Sequence, residues 1–451
     1  MKIIIVGMGK VGQTLAEQLS EENHDITIVD LNASKVNDII GRLDIMGLVG
    51  NGASYSILNE AGIKETDLII AVTGSDELNL LCCTMATAVG NVSAIARVRT
   101  PDYSNEIGYL QQKLGLAMII NPELEAAKEI ARILYLPSAL EVNAFANEHA
   151  EMIKIKIPED NILVGKDMIY LGKNIDSNIL ICAVERGDEV YIPDGTFELA
   201  AGDVISFVSS TREIAKFFKA IGLKAHRVKD CIIVGGGKVA YYLARQLFDM
   251  NMKVKIIEKN RARCEELSEL LPKAVIINGD GTDQDLLAEE GLEFAHAFVP
   301  LTGMDEENIM LTMYSKNVSN AKVVTKINRL NFKKVIAGLD LGSIVYPRYI
   351  TSEAIIAYVR AKSESMDRNI ENLYHMFDQR IEAIEFYISE DCAVTNMPLM
   401  ELKLKNDLLV SCINRNGQII IPSGHDMIKK GDSVMIVTKN KGFSDIEDIL
   451  K

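Results

Sequence analysis

The sequence predicts an α/β fold made twice over: two doubly wound parallel-sheet domains, each followed by a small α+β domain. Three observations predict it. A β-branched run, Ile3 to Val6, closes on a glycine turn, and the next apolar run ends in a carboxylate, Asp30; the same device returns at Cys231–Val234 with Glu258. Gly7 to Gly235 is 228 residues, and Asp30 to Glu258 is again 228. From about residue 140, apolar periodicity gives way to short runs separated by turn residues.

Taken in order, Ile3–Val6 is the uninterrupted β-branched stretch expected of a strand buried on both faces of a parallel sheet. The glycine turn leads into a helix over Lys10–Ser20, with Val11, Leu15 and Leu19 on one face. A strand at Ile26–Val29 then closes on Asp30, completing a βαβ unit of about 30 residues. The alternation continues with a helix over 33–42, a strand at 45–49, a helix over 54–61 and a strand at Leu68–Val72. A helix over 76–89, a strand at Ser93–Arg99 and a helix from Glu123 to Leu136, opened by Asn121-Pro122, follow. Strand–helix alternation of this kind means a doubly wound sheet. Short strands then read at Met152–Ile157, Ile179–Val184, Val190–Pro193 and Val204–Val208, with a turn at Arg186-Gly187-Asp188 and a helix over 211–220 that ends at Gly222.

The chain then begins again. Thr73-Gly74-Ser75-Asp76-Glu77-Leu78-Asn79 returns as Thr302-Gly303-Met304-Asp305-Glu306-Glu307-Asn308, an offset of 229. Gly50-Asn51-Gly52 returns as Gly279-Asp280-Gly281, and Arg186, Pro193 and Gly202-Asp203 return as Arg415, Pro422 and Gly431-Asp432, all at 229. The register slips only near Pro122 and Pro347, where it is 225. A register held along the whole chain is a tandem duplication. It predicts domains at 1–138, 139–225, 226–368 and 369–451.

Bulk properties narrow the function. At 451 residues the chain is long enough for three or four domains of about 150 residues. No apolar run approaches the ~20 residues that cross a bilayer. The N-terminus enters a strand at once, unlike a signal peptide, so a soluble cytosolic protein is expected. A net charge of −15 disfavours nucleic acid or an anionic membrane as partner. Seven cysteines form no C-x-x-C pair, and the six histidines (His24, His149, His226, His296, His375, His425) show no metal-ligand spacing.

Each glycine motif follows a strand, opens a helix and is followed about 20 residues later by a carboxylate, the context that gives G-x-G-x-x-G its meaning. Gly7 and Gly9 let the backbone approach a diphosphate seated on the helix N-terminus, where free N–H groups and the helix dipole favour an anion. Gly12, or Ala240 in the second copy, lets helix and strand pack closely. Asp30 and Glu258 can each accept from both ribose hydroxyls, and a carboxylate there repels a 2′-phosphate, favouring NAD(H) or an adenine nucleotide over NADP. Lys259 and Arg261 weaken that preference in the second copy. Asn51 and Asp280 stand beside the adenine edge, either as acceptors for its amino group or as turn residues before a helix. Thr73-x-x-Asp76 and Thr302-x-x-Asp305 have capping-box-like spacing at the mouth of the cleft. Arg97 and Lys326 are cations inside apolar strands, which require either a carboxylate partner or ligand phosphates. A dehydrogenase would add a general acid or base and a substrate pocket. Neither small domain offers such a group, so a duplicated NAD-dependent oxidoreductase is the alternative rather than the preferred reading.

Gly7-x-Gly9-x-x-Gly12 with Asp30, Thr73 to Asn79, Ala96-Arg97, Gly202-Asp203 and their second copies together resemble the TrkA family of Trk potassium uptake systems. These chains are built from two pairs of RCK (KTN) N-terminal and C-terminal domains, the N-terminal ones Rossmann-like. The resemblance covers essentially the whole chain. It implies a cytosolic, non-enzymatic regulatory subunit that forms a homo-oligomeric ring, a tetramer, on the inner face of the plasma membrane. The ring lies beneath a Trk-type membrane potassium transporter. It implies NAD(H) and ATP or ADP as ligands, ring rearrangement as the output and no nucleic-acid partner. Carried over by position, Gly7, Met8, Gly9, Lys10, Val11, Gly12, Asp30, Asn51, Thr73, Gly74 and Arg97 line the first site. Gly235, Gly237, Lys238, Val239, Glu258, Asp280, Thr302 and Lys326 line the second. Lys10 and Lys238 reach phosphates in their own or a neighbouring site. Two positions depart from the family pattern: Asn51 replaces a frequent Asp, and Lys326 replaces an Arg, losing the bidentate fork for phosphate.

Overall fold

The computed structural model describes residues 1–104, 106–136, 138–145, 149–223, 228–328, 339–363, 370–377 and 379–451. His226 and the expected boundaries at 225/226 and 368/369 lie outside the described residues. The chain forms two compact units. One is Met1–Lys128 with Gly236–Leu243 and Tyr346–Ile356; the other is Glu129–Gly235 with Ala244–Val345 and Ala357–Lys451.

In the first unit, six parallel strands lie in the spatial order Met46–Val49, Asp25–Asp30, Lys2–Val6, Leu68–Ala71, Ser93–Arg97 and Met118–Ile120. Ile3 to Val6 are at most 2% exposed, as a strand covered on both faces must be. The strand order reverses between Lys2–Val6 and Leu68–Ala71, which places a crevice at their carboxyl ends. The strand at Ser93 stops at Arg97, two residues before its expected end, because the Arg99 and Thr100 amides turn onto the Asp76 carboxylate at 2.9 and 2.8 Å. The helix Ile107–Leu114 buries none of its residues and the strand Met118–Ile120 has only three, so the sequence pattern carried little trace of either.

The second unit holds a matching six-stranded parallel sheet in the order Val275–Asn278, Lys253–Glu258, Asp230–Val234, Ala297–Pro300, Lys322–Lys326 and Ser343–Val345. It also holds two five-stranded antiparallel sheets of one topology. The first runs Glu141–Phe145, Ala150–Lys156, Val204–Ser209, Leu180–Arg186, Glu189–Tyr191; the second runs Ile370–Met376, Ile381–Tyr387, Ser433–Thr438, Leu408–Arg415, Gln418–Ile420. The helices Met168–Asn174 and Thr211–Ala220 accompany the first sheet. Among the described residues, the second sheet has 3-10 turns at the matching places, Leu399–Glu401 and Ile446–Ile449. Gly442, at φ +77°, interrupts the stretch that would correspond to Thr211–Ala220. The two sheets share one apolar core, in which Phe145, Met152, Cys182 and Val208 meet Phe377, Ala383, Cys412 and Val437. Arg380 adds hydrogen bonds to the Glu185 carboxylate and, at 2.6 Å, to the Asp188 carbonyl. Six of the seven cysteines are buried, and burial pushes the Cys82 and Cys412 thiols up to about 12, which suits packing rather than nucleophilic chemistry. No described helix is long and apolar enough to cross a membrane, and no group of metal-binding side chains occurs among the described residues.

The repeated Arg186 and Gly202-Asp203 form a structural clamp. Asp203, 1% exposed, accepts from Arg186 at 2.8 and 2.7 Å and from the Ala200 amide at 2.8 Å, while Arg186 also donates to the Glu198 carbonyl. Arg415 and Asp432 repeat the fork at 2.8 and 2.7 Å. Arg186→Ala is expected to cost about 2 kcal/mol, less than a fully buried pair because its head is partly exposed. Urea unfolding followed by hydrogen exchange on Ala150–Lys156 and Val204–Ser209 measures it.

Candidate nucleotide sites

The first site is built on the turn between Lys2–Val6 and the helix Lys10–Glu21. Gly7 sits at φ +101°, and a Cβ there would lie 2.8 Å from the Thr73 amide nitrogen. At Gly12 an added Cβ would come within 2.0 Å of the Gly7 carbonyl oxygen, so this position sets how closely helix and turn approach. Met8 and Val11 point inward and are buried; Met8 serves the site through its amide, which donates to the Asp30 carboxylate at 2.5 Å. The other Asp30 oxygen accepts from the Asn32 amide at 2.8 Å. Gly9 caps the helix without a side-chain hydrogen bond, and an added Cβ would meet nothing within 4 Å. Open space therefore lies above the unbonded N–H groups of the first helical turn, as a diphosphate requires. Lys10 is exposed and engages no described residue, and Gly74 is exposed on the facing loop.

The facing side is organised by Asn79, which is fully buried. Its Oδ1 accepts from the Thr73 amide and hydroxyl at 2.8 and 2.7 Å, and its Nδ2 donates to the Arg97 carbonyl at 2.8 Å, tying two strand ends together. Asn308 repeats this with Thr302, at 2.9 Å to both amide and hydroxyl, and with Lys326 at 3.0 Å. The capping expectation is corrected in both copies. Ser75 caps Asp76–Val89 by accepting from the Leu78 amide, and Met304 occupies the cap position of Asp305–Val318 without a side-chain bond, while both threonines are committed to the asparagines. Thr73–Asn79 had been matched to its copy as a motif, so the repeat itself carried the signal for the two asparagines.

Arg97 reaches the Thr73 carbonyl, and its Nε is buried without a hydrogen-bond partner. Among the described residues it has no carboxylate within ion-pair distance, so the carboxylate alternative does not hold. Burial and repulsion from Arg99 lower its pKa, partly offset by Glu123 and Asp76. Arg99, which the sequence did not single out, takes the carboxylates instead: it lies 3.4 Å from Asp76 and 4.0 Å from Glu123. Burial raises the Asp76 carboxyl, but hydrogen bonds from the Thr100 hydroxyl and the Arg99 and Thr100 amides, with the Arg99 charge, bring it below the usual range. Burial raises the Glu123 carboxyl, while Arg99, Arg97 and Lys238 oppose that rise. Lys238, from the second glycine loop, donates to the Thr100 hydroxyl at 3.2 Å. Tyr242 donates to the Arg99 carbonyl and accepts from Asn121, both at 3.0 Å. The chain thus gathers three cations, Arg97, Arg99 and Lys238, around two carboxylates. Lys238, expected to reach its own or a neighbouring site, stands at the first one, whereas Tyr242 had no signal in the sequence because it belongs to the other repeat.

In the second copy, Gly235 repeats the turn at φ +99°, and Gly237, like Gly9, has nothing within 4 Å of an added Cβ. Val239 is buried. Glu258 accepts from the Asn260 amide at 2.7 Å. Asp280 accepts from the Thr282 amide and hydroxyl at 3.0 and 2.7 Å, and Asn51 accepts from the Ala53 amide at 3.0 Å, so the turn role is realised at both positions. Asp280 also takes the Lys259 ammonium at 2.6 Å. Lys326 donates to the Leu301 carbonyl at 3.0 Å. Open space above the first glycine turn and the unsatisfied Arg97 Nε fit an adenine nucleotide or dinucleotide.

Comparison with known proteins bears on this geometry. The TrkA-N domain family matches residues 3–122 and 231–347, and the TrkA-C domain family matches 152–222 and 383–451. The Trk system potassium uptake protein TrkA homolog 1 of Methanosarcina mazei is 31% identical over 100% of both chains. The Trk system potassium uptake protein TrkA of Haemophilus influenzae is 31% identical over 100% of this chain and 99% of its own. Among solved structures, the GsuK channel bound to NAD superposes with a TM-score of 0.64 at 16% identity, over 97% of this chain and 76% of that one. The crystal structure of the GsuK RCK domain gives 0.64 at 16% identity, over 97% and 92%. At that identity the likeness establishes a shared tandem fold. With both domain families matched twice and relatives aligned end to end, the chain belongs to the TrkA family of Trk-system potassium uptake proteins.

Proposed function

We propose that this chain is the nucleotide-sensing regulatory subunit of a Trk-type potassium uptake system. It binds NAD(H) and ATP or ADP at the carboxyl ends of its two parallel sheets. It acts without catalysis, as a homo-oligomeric ring, a tetramer, on the cytoplasmic side of its membrane transporter. The observation that carries this reading is Arg97, a half-buried cation at the carboxyl end of the strand Ser93–Arg97, whose Nε lacks a partner and whose neighbour Thr100 is reached by Lys238 from the other repeat. Ligand phosphates would satisfy Arg97 and draw on Lys238, so occupancy would engage both repeats together. The GsuK channel bound to NAD, which shares this tandem fold, supports a dinucleotide here.

In this reading each residue has a role. Gly7, Gly9 and Gly12, with the Met8 amide and the first turn that carries Lys10 and Val11, cradle the diphosphate. Asp30 exchanges the Met8 amide for ribose hydroxyls, Asn51 borders the adenine, and Thr73, Gly74 and Arg97 close the phosphate end. In the second site Gly235, Gly237, Val239, Glu258, Asp280, Thr302 and Lys326 take the matching places. Regulation is then a population shift. Nucleotides bias transport only through the difference in their affinity for the ring's states. A third phosphate makes such a difference if it recruits a basic side chain beyond the reach of a diphosphate.

Two measurements test the proposal. Arg97→Ala is expected to weaken ATP and ADP binding by about tenfold to a hundredfold, the worth of a charge-assisted hydrogen bond in a half-buried site. Unchanged affinity in a folded variant removes Arg97 from the site. Co-purification with a candidate transporter, followed by potassium flux with and without nucleotide, tests the function as a whole. An oxidoreductase would instead show substrate-dependent hydride turnover.

A further inference from the structure

The two repeats differ where an adenosine would enter. In the first, the residue after Asp30 is Leu31, 70% exposed, and the facing turn carries Asn51, whose side chain is occupied within its own turn. In the second, the corresponding residues are Lys259 and Asp280, joined by an ion pair of 2.6 Å between the ends of Lys253–Glu258 and Val275–Asn278. Leu31 to Lys259 is 228 residues and Asn51 to Asp280 is 229, so both partners of the bridge occupy repeat-equivalent positions. Hydrogen bonds from Lys259 and from the Thr282 hydroxyl and amide fix Asp280 as the anionic acceptor. In a doubly wound fold these two loops stand at the carboxyl ends of the strands, where the nucleotide binds with its ribose on the carboxylate that ends the second strand.

We infer that Lys259 is the residue that sets the nucleotide affinity of the second site below that of the first. Lys259 bridges to the Asp280 turn and lays a cation across the entrance. In the first site, Leu31 offers an apolar flank and no bridge must open. The inference rests on the reading of both cradles as adenine-nucleotide sites. A bridge between side chains 78% and 42% exposed is a weak interaction, so its effect is a bias rather than a block. Screening by salt weakens it further, so the affinity gap between the sites narrows as ionic strength rises.

The test uses the full chain and resolves the two sites separately. Hydrogen exchange in segments 30–34 and 50–54, and in 258–262 and 279–283, is followed during titration with ADP and with NADH, giving one apparent Kd per site. Lys259→Leu, which copies the first repeat, is expected to lower the second-site Kd about threefold to fivefold and leave the first unchanged. The converse pair, Leu31→Lys with Asn51→Asp, is expected to raise the first-site Kd by a similar factor. A second-site Kd that stays the same or rises in Lys259→Leu, with the first site binding normally, overturns the inference, since Lys259 would then be neutral or a contact to the ligand. Protection at neither site in any variant overturns the nucleotide-sensor reading and the inference with it.

Discussion

Arg360→Met is expected to cost the C-terminal antiparallel sheet about 3–5 kcal/mol, because it strands a buried carboxylate. Glu382, 2% exposed on the strand Ile381–Tyr387, accepts from the two terminal nitrogens of Arg360 at 3.1 and 3.3 Å, and His375 on the paired strand stands 3.4 Å from the same carboxylate. Burial alone would raise the Glu382 carboxyl. The His375 hydrogen bond and the Arg360 charge outweigh burial and hold it at about 2. The folded-state value is thus depressed below the ~4.3 of an unfolded glutamate. Such a group contributes stability that is fully present above the unfolded value and is lost as pH falls through the folded one. The contribution, on the order of 3 kcal/mol, is therefore intact above about pH 5 and disappears progressively towards pH 2. Urea unfolding at pH 7 and pH 3, with hydrogen exchange read on Ile370–Met376 and Ile381–Tyr387, measures both effects. Adding Glu382→Gln to Arg360→Met is expected to recover part of the loss at pH 7 by removing a buried carboxylate that keeps His375 but has lost its arginine. If the single variant is as stable as the wild type, the pair carries no net stabilisation.

That pair also marks where sequence reading ran short. The parallel sheets were legible because their strands are β-branched runs buried on both faces and their turns require glycine, so local pattern and tertiary role coincide. The 228- and 229-residue offsets then carried the first half's reading to the second. Arg360 and Glu382 sit 22 residues apart with no shared motif, and only the meeting of a helix and a sheet brings them together. The same holds at the first site. Gly7, Gly9, Asp30 and Arg97 stand out in the sequence as candidates, whereas Asn79, inside the repeated Thr73–Asn79 stretch, looks like any polar helix residue until its burial is seen. Arg99 lies at the end of the strand expected at Ser93–Arg99; the Asp76 carboxylate ends that strand early and turns the second arginine to it. Lys238 and Tyr242 contribute from the other repeat, and no periodicity within either repeat encodes that exchange. The second small domain keeps the sheet of the first, while Gly442, left-handed at φ +77°, stands in the stretch whose counterpart is the helix Thr211–Ala220.

Gly12→Ala separates the two demands on the first glycine turn. Its Cβ would fall 2.0 Å from the Gly7 carbonyl oxygen, a backbone atom that no rotamer change can move aside. Helix and turn must therefore part, at a cost of about 3 kcal/mol or more, against a gain of ~1 kcal/mol from replacing a helical glycine. Parting them also shifts the N–H groups that Gly7 and Gly9 present, so nucleotide affinity at the first site is expected to fall with stability. Gly9→Ala makes the opposite case. With nothing within 4 Å, the added methyl costs the free protein under ~1 kcal/mol through a poorer helix cap, but it projects into the space assigned to the diphosphate. The second variant should keep the wild-type melting temperature and lose first-site binding; the first should lose both. Ala240, 228 residues beyond Gly12, indicates that the other repeat has already accommodated this methyl. Ala240→Gly is therefore expected to cost only about the ~1 kcal/mol of helix propensity. Thermal unfolding of the three variants, with ADP binding measured on each, decides the matter. A Gly12→Ala protein as stable as the wild type would show that the close approach of helix and turn is not what the glycine provides.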